Sequence, residues 1–172
     1  MNKKAIVLLI LVILWMGFIF YMSNSIGSES GSKSKNIIMF IVNKYDKITN
    51  ASKERIEYHK SEEFIKEANF YFRKVCHFSE YFILGILLFS FLIVLNHYTL
   101  LKCSLFSIGI SILYAASDEF HQTFVNGRSG QIKDVLIDSS GAIIGTLLVV
   151  IIYRIIKKIK KSNQNILYLL NK

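Results

Sequence analysis

Apolar residues in this chain gather into long, nearly unbroken runs rather than the short periodic stripes of a water-soluble fold. Ala5 to Met22 carries no charge, and Cys76 to Leu95 carries only Glu80, with His77 at its start. Leu100 to Ser117 has Lys102 at its edge, while Val135 to Ile156 has Asp138 near its start and Arg154 near its end. A membrane-crossing helix needs about 20 mostly apolar residues, since a rise of about 1.5 Å per residue must cross about 30 Å of hydrocarbon. The runs predict an all-α membrane protein with four transmembrane helices at about 5–22, 76–95, 100–117 and 135–156. A patch from Ile37 to Val42 is too short to span.

The connection 23–75 reads as an outer loop, opening on Ser23, Asn24, Ser25, Gly27, Ser28, Ser30, Gly31 and Ser32. Its second half changes character. Phe64, Ala68, Tyr71 and Phe72 follow i, i+4, i+7, i+8 spacing, with Glu62 and Lys66 as an i, i+4 pair on another face. That predicts a short amphipathic helix leading into the second span, lying either on the outer leaflet or against the protein itself. Residues 1–161 read as a single membrane domain and 162–172 as a cytoplasmic tail carrying a short apolar patch, Ile166 to Leu170.

Composition agrees with the runs. Of 172 residues, 52% are hydrophobic, none is proline, and 21 Lys+Arg against 12 Asp+Glu give a net charge of +9. A basic chain can bind nucleic acid, but a soluble fold would be needed for that, and the runs argue against one. The charge instead orients the spans, because Lys and Arg near span ends favour the cytoplasm. Lys3, Lys4, Lys102, Arg154, Lys157, Lys158, Lys160 and Lys161 lie at such ends, so both termini and the turn near 96–101 are predicted inside. The connections 23–75 and 118–134 then lie outside, and the whole +9 falls on the inner face while the outer face sums to zero. Lys3 and Lys4 also resemble the basic start of a signal peptide. The uncharged run of 18 residues exceeds the usual 7 to 15, and no A-x-A-like site follows, so the segment is read as a retained helix. The two cysteines, Cys76 and Cys103, are read as free thiols, because no C-x-x-C or Cys/His ribbon spacing is present.

Glu80 and Asp138 fall inside predicted spans, where a carboxylate is costly and tends to face a bundle interior or a wet cavity. Arg73, His77, Glu80 and Tyr81 share one helical face, at i, i+4, i+7, i+8. Asp134, Asp138, Gly141 and Gly145 share another, where the glycines form the small-residue stripe that lets membrane helices approach closely. Between these elements lies Asp118-Glu119-Phe120-His121-Gln122, followed by the turn signal Asn126-Gly127 and Arg128. A single carboxylate with an arginine would serve equally well as an ion pair pinning two helix ends. So many polar groups at one depth and one face point instead to a functional pocket.

Several chemistries fit such a pocket. His121 with Asp118 or Glu119 has the makings of a general base and its orienter, which makes these three the catalytic candidates. Arg73, His77, Glu80, Gln122, Arg128, Asp134 and Asp138 are the ligand-binding candidates. Arg128 with Lys133 and turn amides would suit a phosphate or carboxylate. His77, His121 and two carboxylates are also capable of holding a divalent metal, but Asp-Glu-x-x-His lacks the H-E-x-x-H spacing. No metal site and no cofactor are therefore expected. No G-x-S-x-G elbow, P-loop or G-x-G-x-x-G occurs, so the usual hydrolase and nucleotide-binding readings have no support.

At these residues the chain resembles the VanZ-like family of bacterial membrane proteins, which is associated with teicoplanin resistance. The matching pieces are Arg73-Lys74-x-x-His77-Phe78-x-Glu80-Tyr81, Asp118-Glu119-x-His121-Gln122-x-Phe124, Gly127-Arg128, and Asp134-x-x-x-Asp138-x-x-Gly141-x-x-x-Gly145. The exit from the first span, Tyr21 to Ser25, adds a weaker match. Two positions depart from the pattern: Asn126 stands where a proline usually precedes Gly-Arg, and Ser25 where a glutamine usually follows the first span. The resemblance implies a cell-envelope role in a bacterial cell membrane, with a contribution to resistance against teicoplanin-like lipoglycopeptides, and supplies no reaction. The expectation is a protein of the lipid bilayer whose outer pocket binds an anionic or lipidated ligand, such as a lipid-linked cell-wall molecule or a lipoglycopeptide, with no nucleic-acid partner. The alternatives are an intramembrane enzyme acting on an envelope lipid and a scaffold for envelope proteins.

Overall fold

The computed structural model describes residues 2–24 and 27–170, which form six α-helices and no strands. These are α1 (Lys3–Ser23), α2 (Gly27–Ile48), α3 (Lys53–Lys60), α4 (Glu62–Leu95), α5 (Leu100–Gln122) and α6 (Ile132–Leu170). Four of them, α1, α4, α5 and α6, are long and apolar enough to cross a membrane. Their outward faces carry apolar side chains such as Leu14, Leu105, Leu113 and Ile151, all exposed and suited to lipid contact.

Each start is capped by a polar side chain where the sequence offers one. Asn2 accepts a hydrogen bond from Ala5 N at 2.8 Å, and Ser61 accepts from Phe64 N at 3.2 Å ahead of Glu62 and Glu63, whose charges suit a helix N-terminus. Thr99 caps α5 through Lys102 N. Asn96 closes α4 in the left-handed region at φ 56°, a conformation asparagine tolerates better than most residues.

The helices outrun the predicted spans. α4 has 34 residues, about 51 Å at about 1.5 Å each, so roughly two fifths of it exceeds a bilayer core of about 30 Å. The predicted amphipathic segment is the start of α4, continuous with the span. Of its apolar set, Phe64, Ala68 and Phe72 are half-buried and Tyr71 is exposed. α5 continues five residues past Ser117, so Asp118 to Gln122 are helical rather than loop. α6 runs on through the predicted tail, because no glycine or proline follows Gly145 to stop it.

Most of the predicted outer loop is also helical. α2 has a thin inward stripe of Ser34, Ile38, Val42 and Asp46 at every fourth residue. Ser34 Oγ bonds Asn69 Oδ1 of α4 at 2.7 Å, and Asp46 Oδ2 meets His59 Nδ1 of α3 at 2.9 Å. Flanking that stripe, Phe40, Ile41, Tyr45 and Ile48 are exposed, as is Ile37 on the edge toward α4. Of the two placements open to the 64–72 face, the half-burial of Phe64, Ala68 and Phe72 fits packing against the protein, and α2 carries a separate exposed apolar face.

The core is the crossing of α4 and α6, with α5 and α1 packed alongside. A Cβ on Gly141 would meet the backbone of Phe78, one on Gly145 the backbone of Phe82, and one on Gly85 the backbone of Ala142. The stripe thus presses α6 against α4. Beneath the crossing, Ser107 Oγ donates to Gly85 O at 3.1 Å and lies 3.2 Å from Thr146 Oγ1, joining α5 to both helices. α1 is held by Trp15 Nε1 donating to Glu80 O at 2.8 Å and Tyr114 Oη donating to Met16 O at 2.6 Å. Both thiols are unpaired, Cys76 half-buried and Cys103 buried.

Candidate functional site

The glycine contacts fix how α6 faces α4, and this decides where the carboxylates point. Three and seven residues before Gly141 on the same face, Asp138 and Asp134 are buried against α4 and α5 rather than turned to lipid. Asp138 is 0% exposed. It meets His77 of α4, whose Nδ1 lies 3.3 Å from Asp138 Oδ1 and 3.9 Å from Glu119 Oε1 of α5. Both approaches are ion-pair contacts without hydrogen-bond geometry, and among the described residues His77 Nδ1 and both Asp138 carboxylate oxygens are buried with no hydrogen-bond partner. His77, Glu119 and Asp138 offer ligand atoms that all lie within 4.8 Å of one another, enough to hold a metal ion.

A second layer surrounds these three. Gln122 Nε2 donates to Asp118 Oδ2 at 3.2 Å and to Glu119 Oε1 at 3.0 Å, one helical turn apart on α5. Its Oε1 accepts from Arg128 Nη1 at 3.3 Å, while Arg128 Nη2 donates to Met22 O at the end of α1 at 3.1 Å. Gln131 N donates to the other Glu119 oxygen at 2.9 Å, where the chain passes so close to α5 that a Cβ on Gly130 would meet the Glu119 carbonyl. Burial, then the nearby Arg73, draws the Arg128 guanidinium below its usual value, opposed by Asp118, Glu119 and Glu80, and it stays charged.

Beside this network a cavity of about 150 Å³ opens between α1, α2 and α4. Arg73, Arg128, Glu80, Asp118 and His77 supply its polar lining, and Tyr21, Ile37 and Phe72 are among its apolar walls. His77 belongs to both the cavity and the buried cluster.

The predicted residues thus divide. His77, Asp118, Glu119, Gln122, Arg128 and Asp138 are brought together, and Glu80 and the exposed Arg73 border the cavity. Asp134 is instead ion-paired with Lys74 of α4, which the sequence reading had not placed in the site. His121 turns toward α1, its ring 4.8 Å from that of Phe20, and among the described residues it has no hydrogen bond to Asp118 or Glu119. Lys133 is exposed and does not line the cavity. Sequence reasoning also missed the Met22 carbonyl and Gln131 N, backbone groups that leave no trace in side-chain pattern. Ser25 lies outside the described residues.

No curated protein and no solved structure matches the chain. The family model for VanZ/LLP1 matches residues 8–153, which include all four apolar helices at least in part and every residue of the polar cluster. The chain is a VanZ-like multi-pass membrane protein and belongs to the VanZ/LLP1 family.

Proposed function

We propose that the cavity at the polar end of the bundle binds the anionic head group of an envelope lipid or lipid-linked molecule. The observation that carries this reading is the pairing of two guanidinium groups, Arg73 and Arg128, with apolar walls in one cavity beside lipid-facing helices. Arginine suits phosphate and carboxylate because its planar fork matches their oxygens. A cavity of about 150 Å³ is of the size that admits a benzene-sized group, room for a head group but not for a whole lipoglycopeptide. In this reading Arg73 and Arg128 contact the anion. Gln122 and the Met22 carbonyl hold Arg128, and the contacts of His77 with Glu119 and Asp138 tie α4 to α5 and α6.

The Lys and Arg bias at the opposite helix ends supports an arrangement with both termini in the cytoplasm and the cavity on the outer face. An outer anion site also fits a contribution to teicoplanin resistance in a bacterial cell membrane, since that drug acts outside the cell. The test is teicoplanin survival of cells expressing Arg128→Ala, Glu80→Gln or Asp138→Asn at wild-type protein level. Loss of protection in each is expected. Full protection by all three would refute the reading. A second reading, an intramembrane enzyme acting on the same class of molecule, draws on the buried contact of His77 with Asp138. It requires turnover of an envelope lipid by purified protein, abolished by His77→Gln.

A further inference from the structure

Four carboxylates, Glu80, Asp118, Glu119 and Asp138, crowd one end of the bundle, and all but the half-buried Glu80 are buried. Lys74 is engaged by Asp134, and Arg128, which bonds Gln122 and the Met22 carbonyl, offers its charge to Asp118, Glu119 and Glu80. Carboxylates removed from water need opposite charge and hydrogen bonds, and leaving them without either is strongly unfavourable. Asp118 and Glu119 receive hydrogen bonds from Gln122 and Gln131. Among the described residues Asp138, fully enclosed, receives none at either oxygen, and its one facing group is His77, whose Nδ1 at 3.3 Å has no hydrogen-bond partner either.

We propose that His77, Glu119 and Asp138 form a binding site for one divalent cation. Three helices each contribute one ligand: α4 an imidazole nitrogen, α5 and α6 a carboxylate oxygen apiece. The His77–Asp138 distance of 3.3 Å matches the spacing of about 3.4 Å between tetrahedral ligands held about 2.1 Å from an ion, and Glu119 Oε1, 3.9 Å from His77 Nδ1, would have to draw in by about half an ångström. One nitrogen and two carboxylate oxygens favour Zn²⁺ or Mn²⁺ over Mg²⁺ or Ca²⁺, which prefer all-oxygen shells. The hydrogen bonds from Gln122 and Gln131 N to Glu119 orient that ligand as outer-shell partners do around known metal sites. His77 also lines the cavity, so an ion on Nδ1 would lie at the boundary between the buried cluster and the cavity. The sequence gives no metal-site spacing because the ligands come from three separate helices.

This inference does not rest on the anion reading, and its test uses metal alone. Full-length protein in lipid nanodiscs is stripped with chelator and titrated with Mn²⁺ followed by electron paramagnetic resonance, with Zn²⁺ as competitor. One ion per chain is expected, with a nitrogen coupling in pulsed spectra that is absent in His77→Gln. Asp138→Asn is expected to weaken binding at least tenfold, and Asp134→Asn, whose parent carboxylate is held by Lys74, to leave it unchanged. The coupling is read on wild-type protein, so the test survives a variant that fails to fold. Absence of stoichiometric binding by either metal, absence of nitrogen coupling, or equal weakening by Asp134→Asn would overturn the site.

Discussion

Gly145 of α6 lies against the backbone of Phe82 of α4 so closely that no Cβ fits between them. With Gly141 against Phe78, this contact sets the rotation of α6 and hence aims Asp138 into the bundle at His77. Site geometry in this protein is therefore a consequence of backbone approach between two membrane helices.

Gly145→Leu is expected to separate α4 from α6, because the collision is with backbone and not with a flexible side-chain tip. Overpacking of this kind costs about 1–3 kcal/mol or more. The change is read as a lower midpoint in detergent unfolding. Gly109→Ala, which has open space around it, is the matched control and is expected to unfold like the wild type.

Gln122→Leu removes two donors and one acceptor at once, leaving Asp118, Glu119 and Arg128 each short of a buried partner. Each such group costs about 1–3 kcal/mol when left unsatisfied. The expected result is a loss of stability larger than that of Ser107→Ala. There Thr146 still reaches Gly85 O at 3.5 Å, and interhelical hydrogen bonds of that kind average about 0.6 kcal/mol. Side-by-side denaturation curves in one detergent measure the difference.

Reporter fusions after residues near 30, 97, 125 and 165 test the orientation. Signals from the outside are expected at 30 and 125, and from the cytoplasm at 97 and 165. A cytoplasmic signal at 125 would move the Arg128 cavity to the inner face and remove its link to a drug that acts outside the cell.

The spans were legible because run length alone separates a membrane helix from a soluble one, and the family resemblance rested on residues that the structure gathers at one end. Boundaries were less legible. Asp118 to Gln122 look like loop by polarity, yet they continue α5 because their side chains find partners within the cluster. α2 escaped notice because its stripes are split, Ser34, Ile38 and Asp46 inward and Phe40 and Ile41 outward, with serines and glycines ahead of them. His121 was favoured by its place beside Asp118 and Glu119 in sequence. Glu119, two residues before it, does not share its helix face, however, and Asp118, three before it, accepts from Gln122 instead. The partners of Asp138 and Asp134, His77 and Lys74, depend on how α6 meets α4, which no local pattern records.

The most direct test of the proposed anion site is native mass spectrometry of the purified protein exchanged between phosphatidylglycerol and phosphatidylcholine. Both lipids share acyl chains and differ in net charge. Wild-type protein is expected to retain phosphatidylglycerol preferentially, with the preference falling about tenfold, or about 1.4 kcal/mol, in Arg128→Ala. Lys102→Ala, at the far end of α5, is expected to keep it. Equal retention of the two lipids by the wild type, or an unchanged preference in Arg128→Ala and Arg73→Ala, would contradict the anion site.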